Sequence, residues 1–139
     1  MSALLDSSVV LASLDPDEPR HLACDRLLAS GGHELYVHAL AETFSVLTGG
    51  RQCRRLNPAD AARLIEENVL PFVRTHALSV KDVVAALAEC QARGVRGGAI
   101  YDLLHLVAAR KAGAEKLITL DVRNFQALVR KGDPVVEAA

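Results

Sequence analysis

Short apolar runs alternate with helix-length segments along almost the whole chain. The runs predict strands at residues 3–5, 34–37, 72–75, 116–120 and 134–136. The intervening segments carry helical spacing, caps or terminal glycines, and they predict helices at 7–14, 20–30, 38–50, 59–70, 83–93, 98–112 and 123–131. Apolar strands that alternate with helices are typical of a parallel sheet covered on both faces. The predicted fold class is therefore α/β, with a central parallel sheet and helices on both faces.

Length and composition narrow the possibilities further. A chain of 139 residues, half of them apolar, without a long linker or repeat, predicts one domain over residues 1–139. Three cysteines without a CxxC pair argue against a disulfide framework and a cysteine-rich zinc site. A net charge of −1 neither requires nor excludes nucleic acid as a partner. Because we find no signal peptide and no apolar run of membrane-spanning length, we expect a cytoplasmic protein.

Four of the seventeen acidic residues stand in apolar surroundings. Asp6 and Asp121 each follow an apolar strand candidate, and sites of parallel sheets lie beyond the carboxyl ends of their strands. Glu42 and Asp102 lie in mostly apolar helices, where an unpaired carboxylate is costly. Spacing alone does not show that the four converge. If they do, a divalent cation would offset their repulsion, and their oxygen donors suit Mg²⁺ or Mn²⁺.

Three segments carry a resemblance to a known family. They are LLDSSVVLA, LAETFSVL, and IYDLLHLVAARKAGAEKLITLD followed by VRNF. Their order and their acids resemble the PIN domain, especially the short VapC-type toxins, and the match spans nearly the whole chain. The resemblance implies a single PIN-like domain. It also implies a ribonuclease that hydrolyses RNA phosphodiester bonds with water activated on one or two Mg²⁺ or Mn²⁺ ions.

The resemblance assigns roles to the four acids. Asp6 and Asp102 match metal ligands, Glu42 matches a ligand or a group that positions the water, and Asp121 matches a fourth acid that varies in the family. The same resemblance implies two protein partners. A VapB-type antitoxin would place its tail in the acidic cleft, and the chain would form a homodimer.

Supporting residues are implied around these acids. Ser7 and Thr119 match small hydroxyl residues that would hydrogen-bond the acids or a bound water, and Asn124 could support a water. One departure from the family pattern is His38, which stands where a small hydroxyl residue commonly opens the helix of Glu42.

The basic and aromatic residues leave more than one interpretation open. Arg51, Arg54 and Arg55 form a basic loop that is either simply solvated or contacts RNA phosphates. His105 shares a helix face with Asp102, so a general base is chemically possible, although a packing or hydrogen-bonding histidine is the commoner role. The aromatic residues are not interleaved with the basic ones, so the sequence predicts no base-stacking platform.

Three other functions are weighed against the ribonuclease. A phosphohydrolase of the haloacid dehalogenase type needs a second Asp where this chain has Ser8. A phospho-receiver domain carries its acids and its lysine in a different order. The remaining alternative is a metal- or RNA-binding PIN-like module without catalysis, which only a turnover measurement separates from the enzyme.

Overall fold

The computed structural model describes residues 2–49 and 55–139, which form a five-stranded sheet with helices on both faces. The strands are β1 (Ala3–Leu5), β2 (His33–Tyr36), β3 (Val73–His76), β4 (Lys116–Thr119) and β5 (Val135–Ala138). The helices of the described residues are α1 (Ser7–Leu14), α2 (His21–Ala29), α3 (His38–Thr48), α4 (Pro58–Asn68), α5 (Val80–Arg93), α6 (Ala99–Lys111) and α7 (Val122–Leu128). The predicted fold class is confirmed, with element bounds that shift by up to three residues.

The strand order is β3-β2-β1-β4-β5, and every neighbouring pair is parallel. Each strand therefore ends at the same edge of the sheet. β1 lies in the centre and is flanked by β2 and β4. The carboxyl-terminal edge, where parallel sheets carry their sites, thus brings the residues after β1, β2 and β4 close together.

Alternation along the strands divides the core into two halves. Leu5 of β1 lies in register with Leu35 and Ile118, and all three pack with α1 to α4. The preceding residue, Leu4, points to the other face and packs with Leu117 and the helices α5 to α7. Both leucines of β1 are fully buried, which explains why the strand is apolar throughout.

The predicted helix caps form as expected. The Asn57 side chain accepts a hydrogen bond from the amide of Asp60, with Pro58 at the first helical position of α4. Ser79 and Asp82 exchange hydrogen bonds in a capping box at the start of α5. Within the described residues, no helix is both long enough and apolar enough to cross a membrane.

A buried carboxylate links β2 to β3, which is the last strand at its side of the sheet. Glu34 lies opposite Arg74 in the strand register, and its Oε1 accepts hydrogen bonds from Nε and Nη2 of Arg74 at 3.0 and 2.6 Å. The other carboxylate oxygen contacts Nε2 of His76. Burial alone would raise the pKa of Glu34, but these two partners outweigh it and hold the pKa below its usual range.

We expect Glu34→Gln to lower the free energy of unfolding at pH 7 by about 1–3 kcal/mol, because the guanidinium of Arg74 loses its anionic partner. The folded-state pKa of Glu34 lies below its ordinary value of 4.5, so its contribution is complete above that pH and is lost as the pH falls through the folded-state pKa. The difference in unfolding free energy between the wild type and the variant should therefore shrink below about pH 4.5. Urea unfolding at pH 7 and pH 3.5 measures both effects.

Glu137→Gln is the matched control, because Glu137 lies on β5 and pairs with Lys116 while 45% of its side chain is exposed. It should change the stability by less than about 0.5 kcal/mol at either pH. Equal effects of the two substitutions would show that the buried ion pair contributes no more to stability than the exposed one.

Candidate active site

The carboxyl-terminal edge of the sheet carries the four predicted acids. Asp6 directly follows β1, and Asp121 lies two residues beyond the end of β4. Glu42 lies near the end of the first turn of α3, the helix that follows β2. Asp102 lies in the first turn of α6, which leads into the start of β4, so that the opening turn of α6 stands at the carboxyl-terminal edge. Topology therefore directs all four toward one edge.

Asp6 is buried and is held by neutral hydrogen-bond donors. Ser8 Oγ donates to one carboxylate oxygen at 2.6 Å, and the Val9 amide donates to the same oxygen at 3.3 Å. Thr119 Oγ1 donates to the other oxygen at 2.7 Å, as expected of a supporting hydroxyl at the end of β4. Burial raises the pKa of Asp6 above its usual range, although these hydrogen bonds act in the opposite direction.

Ser8 is the supporting residue to which the sequence analysis assigned no role. It bonds Asp6 directly and also accepts a hydrogen bond from the Leu120 amide at 3.0 Å, so it joins the end of β1 to the end of β4. Ser7 was expected to hydrogen-bond one of the acids, and its hydroxyl does so at Glu42. The signal in the sequence was the local spacing, because a serine two residues after an aspartate readily bonds back to it.

Glu42 is held by His105, which comes from the facing helix α6. Nε2 of His105 donates to Oε1 of Glu42 at 2.7 Å, and the imidazole itself is buried. Burial would raise the pKa of Glu42, but the bond and charge of His105, the charge of His38 and the Ser7 hydroxyl together hold it below its usual range. His105 is therefore a hydrogen-bonding histidine in this structure, which was the commoner of its two predicted roles. Although His38 stands where the family pattern has a small hydroxyl residue, Glu42 still has hydrogen-bond partners in His105 and Ser7.

Asp102 is half-buried, and the negative charges of the three other predicted acids act on it. Burial is the main cause that raises its pKa, and the negative charges of Asp6, Asp121 and Glu42 raise it further, while His105 acts in the opposite direction. Within residues 2–49 and 55–139, no lysine or arginine forms an ion pair with Asp102. The carboxylate that stood out in the apolar helix therefore faces other acids, without a basic partner from that part of the chain.

Asp121 is exposed and occupies the N-cap position of α7, yet its side chain caps no backbone amide. It accepts a hydrogen bond from Nδ2 of Asn124 at 2.6 Å. Its own amide donates to Thr119 Oγ1 at 2.8 Å, which ties it to the hydroxyl that bonds Asp6. Asn124 was expected to support a water, and here it supports the fourth acid directly.

The donor set consists of carboxylate oxygens, which are the ligands that hard divalent cations prefer. Across the described residues, no three His, Cys, Asp or Glu side chains already stand close enough together to hold a metal ion. The four acids nevertheless make this edge of the sheet negatively charged, and the pKa values of Asp6 and Asp102 are both raised. His38 and His105 offset this negative charge only in part, and a divalent cation fits that chemistry.

Of the predicted RNA-contacting arginines, Arg51 and Arg54 lie outside the described residues. Arg55 is exposed and precedes α4. Their proposed contact with phosphates stays a prediction.

Four aromatic and imidazole rings form a row at this edge, which the sequence analysis did not predict. Tyr101 and His38 stack with ring centroids 5.6 Å apart and planes inclined by 9°. His38 also contacts Tyr36 at 5.8 Å, and Tyr36 meets His105 edge-on at 5.4 Å. The rings come from β2, α3 and α6, so the spacing of aromatic residues along the sequence gave no sign of the row.

Comparison with known proteins relates the chain to one family. The model of the PIN domain matches residues 3–131. The chain is 36% identical to Ribonuclease VapC27 of Mycobacterium tuberculosis over 135 residues, which cover 97% of this chain and 96% of that protein.

Solved structures share the fold at lower identity. The crystal structure of Mycobacterium tuberculosis VapC20, described as a Sarcin-Ricin loop cleaving toxin, superposes with a TM-score of 0.71 at 23% identity and covers 95% of this chain and 99% of that one. A toxin-antitoxin complex from Klebsiella pneumoniae gives a TM-score of 0.66 at 15% identity and covers 97% of this chain and 95% of that one.

We expect Asp102→Asn to raise the free energy of unfolding of the metal-free protein at pH 7 by about 0.5–2 kcal/mol. The raised pKa means that the ionised carboxylate is held at a cost, and an amide of the same size removes the charge. The gain should shrink as the pH falls through the raised folded-state pKa toward 3.8, the ordinary pKa of the group, because the folded state is then protonated and the unfolded state is about half protonated. Urea unfolding in chelator at pH 7 and pH 4 measures it.

Asp25→Asn, at an exposed position on α2, is the matched control and should leave the stability within about 0.5 kcal/mol. A loss of stability in Asp102→Asn at pH 7 would mean that the carboxylate has a stabilising partner, contrary to the interpretation above.

Proposed function

This chain belongs to the PIN domain family and is of the VapC type, and from that premise we propose that it is a ribonuclease that hydrolyses RNA phosphodiester bonds. The observation that supports the proposal most strongly is the shared electrostatic environment of Asp102, Asp6, Asp121 and Glu42 at the carboxyl-terminal edge of the sheet. A relative that carries the name ribonuclease is 36% identical over nearly the entire chain. Both observations support a ribonuclease.

We propose Mg²⁺ or Mn²⁺ as the cofactor, with Asp6, Glu42, Asp102 and Asp121 as the residues that would hold it. Support comes from the donor chemistry and from the raised pKa values of Asp6 and Asp102, which a nearby cation would lower. When bound, such an ion supplies an activated water and stabilises the charge that develops on the phosphate.

The chain's own contribution is to hold the acids in place. Ser8 and Thr119 fix both oxygens of Asp6, so that its carboxylate cannot rotate freely. His105 fixes Glu42 from the opposite helix, and Asn124 restrains Asp121. Side chains whose orientation is set by a surrounding layer of hydrogen bonds lose less entropy when they engage a ligand or substrate.

We propose that the protein acts as the toxin of a toxin–antitoxin pair, with a VapB-type antitoxin as its partner. A fold neighbour was solved as a toxin-antitoxin complex, and a second is described as a toxin. A basic antitoxin side chain that enters the acidic edge would complement its charge. The proposal keeps the cytoplasmic location expected from the sequence, where RNA substrates are found.

The homodimer stays a prediction of the resemblance. Most apolar residues of α6 pack into the chain's own core, so that helix has little surface left for a second copy. By contrast, α5 exposes Val80, Val84 and Leu87 at helical spacing, with 81%, 57% and 54% of their surface accessible. This row is the surface that a second copy would cover in the predicted dimer.

The alternative of an inactive binding module is not favoured. All four acids are present, and two of the side chains that hold them, Thr119 and Asn124, were implied by the family pattern. Turnover separates the two possibilities.

We expect antitoxin-free protein to cleave total cellular RNA with Mg²⁺ or Mn²⁺, and to stop when a chelator is added. Asp102→Asn should lower the cleavage rate by at least about 100-fold, because losing a support residue alone typically costs 10- to 100-fold. The assay follows RNA fragments with time, at equal concentrations of folded protein checked by circular dichroism.

Asp25→Asn again serves as the control and should cut at the wild-type rate. Cleavage that persists in chelator, or in Asp102→Asn, would contradict the proposed metal site. If the wild type binds metal but does not cut RNA, the binding module becomes the better description.

A further inference from the structure

The row of rings at the acidic edge runs from solvent to the site itself. At its outer end, Tyr101 stacks on His38 almost in parallel. At its inner end, His105 bonds Glu42 at 2.7 Å. Tyr36 lies between and contacts both imidazoles. The row therefore connects an exposed ring with one of the four acids through contacts of less than 6 Å each.

Both members of the stacked pair are carried by the helices that carry the acids. Tyr101 directly precedes Asp102 in the first turn of α6. His38 is the first residue of α3 and lies four residues before Glu42, which places the two side chains on the same helix face. The stacked pair therefore lies beside the acids at which a phosphate would bind.

The two tyrosines of the row differ in exposure. Tyr36 is 7% exposed and forms part of the core. Tyr101 is 51% exposed and lies outside the core. His38 covers one face of its ring, which holds the ring in place and leaves the rest accessible. A rigid, half-exposed ring is the form in which aromatic side chains stack nucleobases.

We propose that Tyr101, backed by His38, is a stacking platform for one unpaired nucleobase of the RNA strand whose phosphate enters the acidic edge. The inference rests on the proposed ribonuclease function and adds to it a residue that positions the substrate strand. The preferred substrate is single-stranded or looped RNA, because a base inside a duplex cannot reach the ring. Stacking tolerates all four bases, so the platform positions the strand without reading its sequence.

The test measures binding with Ca²⁺ in place of Mg²⁺, because a phosphate enters the acidic edge only beside a cation and the flexible coordination of Ca²⁺ supports the proposed cleavage poorly. The probes are a fluorescein-labelled 12-nucleotide single-stranded RNA of mixed sequence and a 12-base-pair RNA duplex. Tyr101→Phe keeps the ring and should bind the single strand like the wild type. Tyr101→Leu removes the ring and should weaken single-strand binding by about 5- to 150-fold, which corresponds to one stacked base. Duplex binding should be the same in all three proteins.

Phe72→Leu is the matched control, because Phe72 is also an exposed aromatic residue but precedes β3, at the opposite edge of the sheet. It should bind both probes like the wild type. A second measurement uses Tyr36→Phe, which leaves Tyr101 as the sole tyrosine in a chain without tryptophan. Its tyrosine fluorescence should be quenched by the single strand and not by the duplex.

Several outcomes would overturn the platform. One is equal single-strand binding by the wild type and Tyr101→Leu; if the wild type still cuts RNA, the ribonuclease stands and only the platform is wrong. A second is an equal loss of single-strand and duplex binding. A third is a change in sedimentation without a change in RNA binding, which would assign Tyr101 to a protein contact. A wild type that neither binds nor cuts RNA would refute the platform together with the proposed function.

Discussion

The excess negative charge of the four acids at the carboxyl-terminal edge of the sheet is the main constraint on this structure. Four of its buried or half-buried acids form two contrasting pairs. Glu34 and Asp133 each form ion pairs with an arginine, and both have lowered pKa values. Asp6 and Asp102 have no such partner among the described residues, and burial raises the pKa of both. The chain thus pairs its structural carboxylates with arginines, whereas at the carboxyl-terminal edge only histidine side chains offset part of the negative charge, which suits a site for a cation.

The neutral donors around the acids show how such an edge is kept in order. Hydrogen bonds from hydroxyl groups orient a carboxylate without cancelling its charge, whereas an arginine would do both. Ser8 and Thr119 use this chemistry to hold Asp6 and to join two central strands. His105 is buried against Glu42 and links the helices on opposite faces of the sheet. The hydrogen bond between His105 and Glu42 therefore also fixes the position of α3 relative to α6.

The aromatic row extends this arrangement from the acids to the solvent. An RNA strand carries charged phosphates next to flat bases. In this protein the acids and the stacked rings likewise lie next to each other, on α3 and α6. Exposed hydroxyl or charged side chains would bind a base less well than a ring that is already immobilised, because a flexible group must first be ordered.

The sequence by itself determined the element order, the parallel sheet, the caps at Asn57 and Ser79, and which acids stand in apolar surroundings. These features depend on neighbours a few residues apart, so periodicity and spacing report them directly. Only the tertiary structure decided which side chains meet. Glu42 and His105 are 63 residues apart, and the hydroxyl that bonds Asp6 locally comes from Ser8 rather than from its neighbour Ser7. Such contacts depend on how helices pack across a sheet, where a rotation of one residue changes the partner, and no local pattern encodes that geometry.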